Sequence, residues 1–165
     1  MIRQLICLST LLFGTLAAEI IDNIEFQFPA KQQWRVEEEI VNSFGMSQIY
    51  VPEDDPFDGV FELFSAQLFH MPFVYDKPEE FGQWMQLAFP FFDLHCKLVA
   101  SDEDSTTMEI YGFEDGELEI YTLVRRIRSN NGTVLLTYTT GNELDIDEGR
   151  TRWIPLILSA KPIAN

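Results

Sequence analysis

Two cysteines, two histidines and eleven basic residues in a chain of 165 leave several familiar chemistries short of parts. Zinc takes four nitrogen, sulfur or carboxylate ligands. Cys7, Cys96, His70 and His95 are the whole supply of thiols and imidazoles, so a zinc centre would need His70 to meet His95 across a sheet and carboxylates to complete the set. Cys7 lies in a stretch that reads as a leader, which leaves Cys96 without a partner for an intramolecular disulfide. Phosphate-binding glycine loops of either common pattern are missing, as is the Gly-x-Ser-x-Gly turn of a serine hydrolase. No cofactor is implied and no metal site is assigned.

Positive charge is scarce as well. Twenty-seven acidic residues stand against the eleven basic ones, a net charge of −16. Neutralising nucleic-acid phosphates needs a basic surface, so nucleic acid is not an expected partner, and an anionic membrane surface is disfavoured for the same reason. Acidity of this kind suits high solubility, basic partners or cations. Three acidic clusters, Glu53-Asp54-Asp55-Pro56-Phe57-Asp58, Asp102-Glu103-Asp104 and Asp145-Ile146-Asp147-Glu148, lack the glycine and glutamate spacing of a calcium-binding loop and read as solvated loops. With so many carboxylates, a pair at glycosidase separation carries no information.

What is present begins with an address label. "MIRQ" is a short positive start, "LICLSTLLFGTLA" is an apolar run too short to span a bilayer, and Thr15 and Ala17 supply small residues at the −3 and −1 places of a cleavage site. Residues 1–18 are therefore assigned to a secretory signal peptide and residues 19–165 to a single domain, exported to the periplasm or beyond the cell. No later segment is apolar enough to span a membrane, so the mature chain is expected to be soluble. It is long enough to bury a core without disulfides.

Along that domain, "IEFQF" alternates and stops at Pro29. In "WRVEEEIV" the alternation places Trp34, Val36, Glu38 and Ile40 on one side of a strand. "SQIYVPE" is a short strand, and Val60 to Met71 is a phenylalanine-rich inner strand with apolar contacts on both faces. A helix follows: Asp76 is an N-cap with Glu79 at capping-box spacing, Pro78 suits the first turn, and Phe81, Trp84, Met85, Ala88 and Phe89 form one apolar stripe that Pro90 ends. Four strands then alternate from Leu94 to Thr140. Asp115-Gly116 and Asn131-Gly132 stand at two of their turns, the dipeptides that type I′ hairpins favour. Asn131-Gly132-Thr133 is also a glycosylation sequon, which the turn alone explains. Ile146, Trp153, Ile157 and Ala160 recur at helical spacing, with Pro155 predicting a kink or a late start. Strands, helix, four antiparallel strands and helix make an α+β layer design, an antiparallel sheet covered by helices. The alternative is a cone-shaped α+β fold of the nuclear-transport-factor type, which usually begins with helices.

The stretch "YTLVRRIRSNNGTVLLTYTTGNELDIDEGRTRWIPLILSAKP", with its Tyr138-Thr139 strand end, polar linker and tryptophan-bearing last helix, resembles the C-terminal half of the PsbP-like superfamily. "WRVEEEIVNSFGMSQIYVPE" is similar to that superfamily's opening hairpin. The superfamily includes a photosystem extrinsic protein, a Ran-binding nuclear protein and many exported bacterial proteins. The resemblance implies an α/β/α sandwich and a non-catalytic accessory or binding role. It brings no catalytic residue, and the acidity of this chain leaves its partner unassigned.

Two groups of residues remain as sites. Glu37, Glu38 and Glu39 form the densest acidic run on a strand, a guard against sheet-to-sheet pairing or a contact for a basic partner. Arg125 and Arg128, with Arg126 between them, concentrate positive charge on one strand, as an anion site or as cross-strand pairs, with Glu119 on the face of Arg125 and Glu109 opposite. In "DLHCKL" the strand period puts His95 and Cys96 on opposite faces, while Asp93 and His95 share one. A dyad of that kind still needs a serine or cysteine beside the histidine. The expectation is a monomeric, non-catalytic binding protein for a protein or small ligand. The competing class is a secreted hydrolase using Asp93 and His95 or a carboxylate pair. N-terminal sequencing of the form recovered outside the cytoplasm is expected to find the leader gone; a chain still starting at Met1 there would contradict the export reading.

Overall fold

The apolar residues from Leu94 to Thr140 alternate with a period of two, and short polar turns separate them, so the region folds back on itself as antiparallel strands. The structure, a computed structural model, describes residues 18–30, 32–53, 62–70, 78–88, 90–141 and 146–163. Residues 1–17 of the leader, Asp76, Phe89, Asp145 and most of the Glu53–Asp58 cluster lie outside those residues, as do the side chains of Glu79, Trp84 and Ala88.

Strands β1 (Ala18–Ile21) and β2 (Ile24–Gln27) pair as a hairpin. The main sheet contains β3 (Trp34–Asn42), β4 (Gly45–Pro52), β5 (Glu62–Phe69), β6 (Asp93–Ser101), β7 (Ser105–Glu114), β8 (Glu117–Ser129) and β9 (Gly132–Thr140), in the order β3-β4-β5-β9-β8-β7-β6. Helix α1 (Pro78–Ala88) precedes β6, and α2 (Ile146–Ser159) follows β9. A short β10 (Lys161–Pro162) pairs with β2 and completes a three-stranded sheet. The predicted meander β6-β7-β8-β9 is present, and β9 joins it to the first hairpin by pairing with β5.

Because side chains alternate, the sheet has two apolar faces. One carries Phe64, Ala66 and Leu68 of β5, Tyr121, Leu123 and Ile127 of β8, and Val134, Leu136 and Tyr138 of β9. It packs against Ile24, Phe26 and Phe28 and against Ile146, Trp153 and Ile157 of α2. The other carries Met108, Ile110, Val124 and Leu135 and packs against Phe81 and Met85 of α1. The result is an α/β/α sandwich. Trp153 is wholly enclosed. Its ring stacks on Tyr138 at 4.7 Å and on Phe64 at 5.1 Å, and meets Trp34 edge-on at 5.2 Å.

Four local expectations are revised. In β3 the pairing slips between Val36 and Glu38, so Trp34 and Val36 share a face with Glu39 and Val41, and Ile40 moves to the other face with Glu38. A bulge absorbs the glutamate that broke the apolar pattern. Asp115 and Gly116, with φ of 52° and 85°, form the expected turn, but Asn131-Gly132 does not. There the turn residues are Asn130 and Asn131, both at negative φ, and Gly132 opens β9. Gly132 is required by close approach, since a Cβ there would sit 1.9 Å from the Phe69 carbonyl oxygen. The turn is held by backbone N–H groups of Asn130 and Asn131 donating to side chains of Asn23 and Asp22, both at 3.0 Å. Helix α2 begins at Ile146 and continues through Pro155 rather than starting late. Finally, His70 follows β5 while His95 lies on β6, four strand spacings away or about 19 Å, so the two imidazoles do not meet.

Gly149 of α2 gives a direct test of the packing. A Cβ there would lie 2.9 Å from the Tyr138 hydroxyl. Alanine normally stabilises a helix by about 1 kcal/mol over glycine. Here Gly149→Ala is expected to destabilise by about 1–2 kcal/mol through overpacking, read as a lower urea midpoint at unchanged slope. A raised midpoint would contradict the fit of Tyr138 under α2.

Candidate functional site

A sheet that does not close has two edges, and here they are β3 and β6. Edge strands present unpaired backbone groups, and natural sheets blunt them with charge, bulges or short length. β3 has the charge and the bulge but is nine residues long, and every residue after Trp34 is exposed. No described strand pairs with its outer side. Large apolar side chains are also left in water: Val36, Ile40, Val41 (69% exposed) and Phe44 of the β3–β4 turn (66%). On the face that carries Ile40, the hairpin borders an open, mainly apolar hollow of about 200 Å³, lined by Ile40, Phe44, Ser47, Gln67 and Phe69 among others.

The three glutamates sit in the middle of this edge. Glu37 pairs with Arg35. Glu39 accepts from the Gln48 side chain at 2.8 Å, and Gln48 in turn accepts from the Tyr50 hydroxyl at 3.0 Å. Glu38 has no partner among the described residues. Tyr50 is pushed up to about 12 by burial first and then by the charges of Glu19 and Glu39, so the negative field extends from β3 to β1.

The arginines are elsewhere. β8 stands four strand spacings from β3, so Arg125 and Arg128 are not brought to Glu37, Glu38 and Glu39. They also project from opposite faces of their strand. Arg125 donates to Thr107 at 3.0 Å, its pKa lowered by burial against the opposing charge of Asp102. Arg128 pairs with Asp104 at 3.2 Å. The Asp102–Asp104 loop is a turn rather than a cation site: Asp102 accepts from the Ser105 hydroxyl at 2.9 Å and from the backbone N–H groups of Asp104 and Ser105 at 2.9 and 2.7 Å. Glu119 is the exposed residue skipped by the bulge in β8.

The dyad forms, but no described serine or cysteine side chain bonds to its histidine. His95 Nε2 lies 3.2 Å from Asp93 Oδ2 on the exposed β6 edge, with the Phe113 ring 5.0 Å from the imidazole. Cys96 pairs with Ile110 and His95 with Tyr111, so the thiol faces α1 and the imidazole faces away. Burial raises the Cys96 pKa, which keeps it a thiol and a weak nucleophile. It lines an open groove of about 460 Å³ between α1 and β6.

Two buried carboxylates have roles that sequence reasoning missed: Glu62 was passed over, and Glu109, expected opposite Arg125, pairs with Leu123 while Thr107 stands opposite Arg125. Glu109 of β7 is 1% exposed. It accepts from the Tyr121 hydroxyl at 3.0 Å and from Arg150 Nε at 2.5 Å, and Lys97 stands 3.3 Å away. Glu62 of β5 repeats the pattern with Tyr138 at 2.5 Å, Arg152 and Gln32. Each glutamate ties α2 to a different strand. Burial acts to raise the Glu109 pKa, but Arg150 and the Tyr121 hydroxyl outweigh it, and the group is held below the usual glutamate range. The signal in the sequence was an acid flanked by Met108 and Ile110 in a strand apolar on both faces, where a charge must find a partner.

No family model matches the chain, and no curated protein matches it. The solved structures include a match to the solution structure of cyanobacterial PsbP (CyanoP) from Synechocystis sp. PCC 6803. The TM-score is 0.63 at 12% identity, over 93% of this chain and 96% of that one. The fold is PsbP-like. Within this PsbP-like fold, the Glu109–Arg150 and Glu62–Arg152 pairs tie α2 to the sheet. No helix of the described residues is long and apolar enough to cross a membrane.

A carboxylate whose native pKa is lowered adds stability above its ordinary range, and that stability is lost as pH falls through the native value. Glu109→Gln is therefore expected to cost about 3 kcal/mol at pH 7 by removing the buried partner that Arg150, Lys97 and the Tyr121 hydroxyl share, and the gap to the parent is expected to narrow below about pH 4. Chemical denaturation across pH measures both; a pH-independent gap would contradict the assignment.

Proposed function

We propose that this protein is an exported, non-catalytic accessory protein that binds a basic protein partner through the β3 edge of its sheet. The observation that carries the reading is the combination on β3 of an open outer side, three adjacent glutamates and exposed apolar side chains. Soluble monomers seldom leave long apolar edges uncovered, and a net charge of −16 steers basic partners towards the protein. The leader-like residues 1–18 support export. The likeness to CyanoP supports an extrinsic protein without chemistry of its own only as far as a shared fold can.

A hydrolase using Asp93 and His95 is the second reading, favoured by their 3.2 Å contact. Against it, no described serine or cysteine side chain bonds to His95, and both side chains of the dyad are well exposed.

Two triple variants with equal charge change separate surface chemistry from bulk charge. Glu37, Glu38 and Glu39 changed to Gln should reduce crosslinking to proteins of the exported fraction by tenfold or more. Glu114, Glu117 and Glu119 changed to Gln at the β7–β8 hairpin should leave it near the parent level. Equal losses would reduce the effect to net charge and contradict a β3 site. His95→Ala should leave partner capture unchanged, and an ester- or peptide-hydrolysing activity of the parent abolished by His95→Ala would establish the hydrolase instead.

A further inference from the structure

We infer that β3 takes its partner as an added strand: an extended segment in which an apolar residue stands next to two consecutive basic residues pairs with the outer edge of β3. The inference rests on the β3 reading above and specifies its occupant.

Strand addition draws affinity from main-chain hydrogen bonds and specificity from pockets for alternate side chains. β3 supplies both. Alternate backbone groups along its outer edge have no described strand to pair with. The hollow of about 200 Å³ beside Ile40, Phe44 and Phe69 lies on the face of Ile40, where one side chain of an added strand would lean. The register fixes what surrounds it. Ile40 pairs with Ser47, Glu39 with Gln48 and Glu38 with Ile49, so the three are consecutive positions on alternating faces. A residue placed beside Ile40 enters the hollow. The next residue of the added strand then stands beside Glu39 and the one after beside Glu38, and both positions call for lysine or arginine. Antiparallel addition reads apolar-basic-basic from N- to C-terminus, and parallel addition reads the reverse.

Charge also decides between occupants. A second copy of this chain pairing β3 against β3 would bring glutamate run against glutamate run, with Arg35 the one basic residue of the strand and already on Glu37. The same side chains that repel a copy of the edge select a basic strand, so guard and receptor are one device.

The probes are synthetic ten-residue peptides carrying Leu-Arg-Lys or Arg-Lys-Leu at the centre, titrated against the full chain by calorimetry or fluorescence anisotropy. One of the two orders is expected to bind. N-methylation of alternate backbone amides should weaken that peptide at least tenfold in one phase and little in the other. Phe44→Ser, at an exposed turn position, should weaken it severalfold without lowering the melting temperature. Glu38→Lys with Glu39→Lys should reverse the preference, so that Leu-Glu-Glu or Glu-Glu-Leu peptides bind in place of the basic ones. Binding indifferent to N-methylation, or to loss of the leucine, would overturn strand addition. So would binding of neither order while the β3 triple variant still loses its crosslinks; the edge would then remain a protein contact of another kind. If the crosslinks themselves survive neutralisation of β3, the underlying reading fails instead.

Discussion

Glu109 and Glu62 stand buried on different strands and meet Arg150 and Arg152 from one helix, each with a tyrosine hydroxyl as a further donor. Removing ions from water is costly, and such pairs offset that cost only where every lone pair is met. Paired as they are, they leave α2 one seat on the sheet. That seat sets Trp153 between Phe64 and Tyr138, and the edge contact of Trp153 with Trp34 reaches the first residue of β3. Trp34 also stacks on Phe28 at 5.6 Å. The exposed edge strand is thus anchored at its start by the aromatic core and at its end by the hairpin that Gly45 opens.

This arrangement separates two kinds of charge. The buried carboxylates answer to arginines and shape the sandwich. Among the described residues, the exposed ones on β3 have only Arg35 and Gln48 to answer to, and Glu38 has neither. A long strand anchored at its start, with no described strand on its outer side, would lose little ordering entropy on association. The opposite edge, β6, is also nine residues long, bulged and largely exposed, but its charges are committed. Asp93 and His95 satisfy each other on β6, Lys97 is spent on Glu109, and the helix α1 covers one face.

The meander and both helices were legible because periodicity and turn chemistry act over a few residues, as in Leu94–Thr140 and in the Ile146, Trp153, Ile157 spacing. The opposition of His95 and Cys96 followed from the same period. What escaped was set by distant contacts. The β3 slip depends on how Glu38 meets Ile49 of its partner strand. The Asn130-Asn131 turn adopts its shape because Asp22 and Asn23, more than a hundred residues earlier, accept its backbone N–H groups. The pairing of β5 with β9 and the recruitment of β10 by β2 join segments with no local cue. The arginine cluster offered an anion site or cross-strand pairs because the residues are close in sequence, yet alternation sends Arg125 and Arg128 to opposite faces, where Thr107 and Asp104 hold them.

The central claim is that β3 is an open edge in the free protein, and hydrogen exchange of its amides tests it most directly. Alternate amides between Arg35 and Asn42 should be protected by β4 while those between them exchange nearly as fast as in an unstructured chain. Uniform protection along all of β3 in the isolated monomer would mean that the edge is already covered, and would contradict the account.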